Sequence, residues 1–207
     1  MKYIYEFIGT FFLVFTVGMT MVSPGEAGMW APLAIGSVLA VMIFACGHVS
    51  GGHLNPAISL AAFMRGKLKF VDMWLYWLAQ FAAAVVAAYF TVYFKGAPSN
   101  MHMDLDMGRV IVAEFLFTFA LCYVMLNVAT AKETKGNSYY GLAIGFTVLA
   151  GAYAVGATSS AAFNPAVALS NSILNLTVWP NLWYYFLGSF CGAAVAAWVF
   201  NVAHPKE

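Results

Sequence analysis

Charge is what this sequence has least of. Only 8% of its 207 residues are Asp, Glu, Lys or Arg, against 63% hydrophobic residues. Soluble domains carry about 25% charged residues, so a chain of this size lacks the means to form a water-compatible surface. Its natural solvent is a lipid bilayer. The net charge of +1 leaves no basic footprint, which argues against a nucleic-acid partner. Cysteine is as sparse. Cys46, Cys122 and Cys191 are odd in number, scattered and without metal-ligand spacing, and read as packing residues. Only four histidines are present, and His48 and His53 lack the convergent partners that a metal site requires. With no catalytic motif, metal cluster or soluble domain, neither an enzyme nor a cofactor is expected.

The opening run, MKYIYEFIGTFFLVFTVGMT, could pass for a secretory signal peptide. Glu6 inside the apolar run and the lack of a small-residue cleavage site oppose that, and internal symmetry opposes it more strongly. LAIG at Leu33 to Gly36 returns at Leu142 to Gly145, 109 residues on, and Asn55 and Asn164 are also 109 apart. WLYWLAQFAAAVVAAY from Trp74 matches WYYFLGSFCGAAVAAW from Trp183 in that register, and EFIGTF from Glu6 matches EFLFTF from Glu114 at 108. The chain therefore reads as one transmembrane domain, 1–207, built from two copies of about 1–98 and 105–207. Its first helix belongs to the repeat and so to the mature protein.

Each copy offers three apolar segments of spanning length, since about 20 residues cross the hydrocarbon core. They fall at 4–22, 31–49 and 71–93, then 109–130, 138–157 and 181–203. The expected fold is an all-α membrane protein with six transmembrane helices. Three spans per copy bring the second copy in from the opposite side, an inverted repeat whose sites lie near the bilayer midplane. With the N-terminus in the cytoplasm, the inner side holds Lys2, Arg65, Lys67, Lys69, Lys132, Lys135 and Lys206. The outer side keeps Lys95 and Arg109. That excess places both termini in the cytoplasm.

Two tripeptides stand out: Asn55, Pro56, Ala57 and Asn164, Pro165, Ala166. Asn is a favoured N-cap and Pro suits the first helical position, where no backbone donor is needed. Each box therefore starts a helix sharply, PAISLAAFM or PAVALSNSI. Nine residues reach about 14 Å, roughly half the hydrocarbon core. The stretches before them, SGGHL and SSAAF, are non-helical, which membrane depth tolerates only in protein or beside a wet cavity. Inversion sends one half-helix in from each face, so their N-termini meet near the middle, each carrying about +0.5 of a charge. Carbonyls of Gly51, Gly52, His53 and Leu54, and of Ser160, Ala161, Ala162 and Phe163, are the expected acceptors along a passage. The two Asn amides donate at its centre, and the positive helix ends repel cations. Taken singly, each box reads first as a mere capped helix start; two in register in an inverted repeat reverse that and favour the passage.

In these boxes, in GHVSGGHLNPA, and in EFIGTF and YWLAQF, the chain resembles the aquaporin, or major intrinsic protein, family over essentially its whole length. The resemblance implies six helices and two re-entrant half-helices in a right-handed bundle, and a homotetramer with one pore per subunit. In most members the second box continues into an arginine that forms a narrow filter. Here Val167 follows. Carrying over the other filter positions by distance from the boxes gives Ile35, Ala152 and Ala161, with Ile35 replacing the usual aromatic and Ala152 the His of strict water channels. The Asp of typical glycerol channels would fall at Ala168. Such a filter is wide, apolar and uncharged, which alters selectivity.

Glu6 and Glu114 sit inside spanning segments, each with a Thr four residues on, Thr10 and Thr118. Intramembrane acids are functional candidates by default. A proton relay is one reading; buttresses that accept hydrogen bonds from the re-entrant stretches are the other, favoured by their equivalent places in the two copies and by the family resemblance. His53 lends its carbonyl to the passage with its ring near the inner mouth, a response to pH being the alternative, and His48 reads as a structural histidine. Gly188 and Gly192, matched by Ala79 and Ala83, form a close-packing face.

The expected function is a passive channel, in the bilayer of a microbe's inner membrane, for water and small neutral solutes. Glycerol, urea, ammonia, hydrogen peroxide and neutral metalloid acids such as arsenous acid are the candidates. A strict water channel with a drifted filter, an inverted-repeat secondary transporter and a membrane protein with a vestigial pore are the alternatives.

Overall fold

A computed structural model describes residues 1–96 and 105–205. Lys206, counted above among the inner cations, and the repeat limits at 98 and 207 lie outside them. Six long apolar helices carry the fold: α1 (Lys2–Met21), α2 (Ala31–Ser50), α4 (Phe70–Lys95), α5 (Met107–Thr130), α6 (Tyr140–Ser159) and α8 (Leu182–Ala203). Between them lie two nine-residue helices, α3 (Pro56–Met64) and α7 (Pro165–Ile173). Every long helix ends within two residues of the expected span. The start of α6 is the latest of these, because Asn137 holds the preceding turn, donating to the carbonyls of Val128 at 2.6 Å and Thr134 at 2.7 Å.

Duplication is visible in the packing. Helix α1 packs on α4 as α5 packs on α8, and α1 on α2 as α5 on α6. The short helix α3 lies against α8 and α5, and α7 against α4 and α1. Exchanging the copies leaves these neighbours unchanged, while α2 meets α6 and α3 meets α7 across the centre. At the α2–α6 crossing the repeat-equivalent Gly36 and Gly145 face one another; a Cβ on Gly36 would lie 2.8 Å from the Gly145 carbonyl oxygen. Gly188 and Gly192 seat α8 on the backbone of α5, at the carbonyls of Ile111 and Phe115. Small side chains let backbones meet where apolar lipid gives helices little reason to associate. Large side chains such as Trp74, Leu78, Tyr89 and Trp198 are exposed on the outer surface, which suits hydrocarbon.

Six spans return both ends of the chain to one face, here the termini face. Asn201 on α8 donates to the Met64 carbonyl at the end of α3, and Lys2 pairs with Asp72 at 2.8 Å. Lys2, Lys67, Lys69, Lys132 and Lys135 surround one cavity on this face. Lys95 lies on the far face, donating to the carbonyls of Val22 and Pro24, and Arg109 starts α5 there.

Candidate functional site at the tips of the half-helices

Both Asn-Pro boxes cap a helix. Asn55 is extended, and its Oδ1 accepts the N–H of Ala57 at 2.8 Å; Asn164 does the same with Ala166 at 2.9 Å. The caps also tie the copies together. Asn55 Nδ2 donates to the Phe163 carbonyl, and Asn164 Nδ2 to the Leu54 carbonyl, each at 2.9 Å. Two half-helix N-termini therefore meet tip to tip, each within a peptide unit of the other. An amide nitrogen carries two N–H groups, so one donor on each Asn is left over. Both Asn residues line a cavity of about 100 Å³ that opens toward the far face.

The stretches before the boxes hold an unusual backbone. Gly51, Gly52 and Leu54 have positive φ, and so do their 109-residue counterparts Ser160, Ala161 and Phe163. Glycine adopts this region freely; Ser, Ala and Phe do so at a cost that surroundings must over-determine. Glu6 and Glu114 supply that determination. Glu6 accepts from the N–H groups of His53 (2.9 Å) and Leu54 (2.7 Å), the Ser50 hydroxyl (2.6 Å) and Gln80 Nε2 (2.8 Å). Glu114 accepts from Ala162 N–H (3.0 Å), Phe163 N–H (2.6 Å) and the Ser159 hydroxyl (2.8 Å). The donors are repeat-equivalent except Gln80, whose counterpart is Ser189. Thr10 and Thr118, by contrast, are buried with hydroxyls that make no such bond. The sequence signal for Ser50 and Ser159 is their spacing of 109, the offset of the repeat.

Ile35, Ala152, Ala161 and Val167 all line the far-face cavity, beside Ser160, Ala162 and Phe163. Their repeat counterparts, Ile144, Ile43, Gly52 and Ile58, all line the larger cavity on the termini face, with Gly51 and His53. On α2, Leu39 lines the first cavity and Ile43, one turn on, the second; on α6, Val148 and Ile144 do the same. The two cavities thus approach each other along one axis past the Asn tips.

Two expectations differ from the geometry. Leu54 is fully buried and its carbonyl accepts from Asn164, so it joins the copies and lines neither cavity. The Phe163 carbonyl is likewise taken by Asn55, although Phe163 does reach the cavity wall. His48 is exposed on the termini-face cavity, edge-on to Tyr5. His53 lies in the wall of the same cavity, its Nδ1 3.1 Å from the Ser59 hydroxyl.

The family model described as Major intrinsic protein matches residues 1–200. The chain belongs to that family. Among curated relatives, this major intrinsic protein is 34% identical to "Aquaporin NIP1-4" of Oryza sativa subsp. japonica, over 95% of its own length and 74% of the relative's. It is 30% identical to "Nodulin-26" of Glycine max, covering 100% of this chain and 79% of that one. Its fold matches the X-ray structure of the aquaglyceroporin from Plasmodium falciparum with a TM-score of 0.78 at 20% identity, over 99% of this chain and 95% of that one. These curated relatives are plant proteins, so they lend no support to the expectation of a microbial inner membrane. A multi-pass integral membrane protein is what the six spans establish.

Proposed function

We propose that this major intrinsic protein is a passive channel for water and small uncharged solutes, without chemistry on what it carries. The observation that carries this reading is the tip-to-tip pairing of Asn55 and Asn164 in the wall of a cavity. Opposed positive helix ends repel cations there, while the spare amide N–H groups donate to a solute oxygen. Ile35, Ala152, Ala161 and Val167 form its selectivity filter. None of the four side chains is polar, so passage extends beyond water to glycerol, urea, ammonia, hydrogen peroxide or neutral metalloid acids. Carbonyls of Gly51, Gly52, His53, Ser160, Ala161 and Ala162 line the route, and Glu6 and Glu114 hold its two stretches in shape. Both termini are cytoplasmic, in keeping with the excess of Lys and Arg on the termini face, and four subunits assemble with a pore in each, as the family likeness suggests.

A secondary transporter would use the same acids to couple flux. In vesicles containing the purified protein, glycerol uptake should stop at equal concentrations inside and out, whatever proton or sodium gradient is imposed. Accumulation above that level under either gradient would assign the chain to coupled transport.

A further inference from the structure

Besides the capping Asn55 and Asn164 and Ser160 of the stretch before the second box, one further polar side chain, Asn171, lines the far-face cavity. Asn171 lies one helical turn beyond Val167 on α7, and residues four apart share a helix face. It lines the same cavity, is 2% exposed, and its side-chain oxygen has no hydrogen-bond partner among the described residues. Closing the turn after α7 does not need that amide: the Asn171 backbone carbonyl already accepts the N–H groups of Leu176 (2.9 Å) and Thr177 (3.2 Å). The duplication isolates what is special here. The counterparts of Val167 and Asn171 on α3 are Ile58 and Ala62, and both line the termini-face cavity. That face of a half-helix looks into a cavity in both copies, and only α7 puts an amide on it.

We propose that Asn171 is a solute-selecting residue, its amide supplying the hydrogen bond that the apolar filter beside it withholds, in favour of polyols and urea-like solutes. The proposal rests on the channel reading above. An amide offers both donor and acceptor, and a solute shedding water at a dry constriction keeps a partner there, where a hydrogen bond counts for more than in bulk water. Water alone gains less, because it passes with fewer groups to satisfy.

The test compares fluxes of water, glycerol and urea through full-length channels in vesicles. Asn171→Leu keeps the bulk and removes both polar groups; Ser170→Ala, next to it but outside the cavity wall, is the control. The expected result is a fall of about fivefold in the glycerol-to-water and urea-to-water ratios for Asn171→Leu, the factor carried by one ordinary hydrogen bond. Ser170→Ala should keep the parent ratios. Unchanged ratios for Asn171→Leu, or equal losses for every permeant, overturn the proposal. If that variant does not fold, Asn171→Ser and Asn171→Ala decide: Ser should hold a higher solute-to-water ratio, and equal ratios overturn the proposal. A parent channel that conducts nothing sinks the channel reading itself, and this one with it.

Discussion

Val167→Arg should cut glycerol and urea flux by about tenfold or more and change water flow far less, an added barrier of about 1.4 kcal/mol felt by the larger solutes alone. Val167 is buried in the cavity wall with Ile35, Ala152 and Ala161. A guanidinium there finds acceptors in the backbone of Ser160, Ala161 and Ala162, which line the same space. It also fills much of a cavity of about 100 Å³, so a polyol loses room while a water molecule keeps it. Five rigid donors in place of two methyl groups also change the field, adding to the barrier against cations. Stopped-flow light scattering on vesicles reads both fluxes. Parallel changes in water and glycerol would mean that Val167 is not at the selecting constriction.

The second large effect falls on folding. Glu114→Ala should abolish the folded protein, and Glu6→Ala should do nearly the same. Removing the Glu114 carboxylate strands the N–H groups of Ala162 and Phe163 and the Ser159 hydroxyl, and each stranded buried donor costs about 1–3 kcal/mol. The same stretch holds Ser160, Ala161 and Phe163 at positive φ, costing about 1–3 kcal/mol for each such residue. The parent fold already carries that strain, so the three stranded donors, about 3–9 kcal/mol together, fall on a stability margin of about 5–15 kcal/mol. Glu6 serves one more donor, Gln80, but Gly51 and Gly52 spare its stretch part of the strain. Glu114→Gln keeps one acceptor oxygen, so it should lower the unfolding temperature in detergent by several degrees and still conduct. Size-exclusion profiles and thermal melts check this series. A well-folded Glu114→Ala protein would refute the buttress role, and a folded Glu114→Gln protein that has lost its flux would favour a relay.

The long helices were legible because their signals are local: runs of about 20 apolar residues, repeated at one offset. The half-helices were legible because Asn-Pro caps a helix from within its own sequence. What escaped depends on how distant segments meet. Nothing near Leu54 shows that its carbonyl is taken by an Asn 110 positions later; only the inverted docking of two copies creates that bond. Asn171 looks like any polar residue ending a short helix until the face of α7 toward the cavity is known. The positive φ values in SSAAF were likewise hidden, because no glycine marks them.

Permeation depends on two opposed half-helix tips bordering one continuous route, and osmotic water flow tests that most directly. Vesicles holding the purified protein, shrunk in a stopped-flow mixer with an impermeant osmolyte, should shrink several-fold faster than protein-free vesicles of the same lipid. Shrinkage no faster than bare lipid, with the protein folded and inserted, would contradict it.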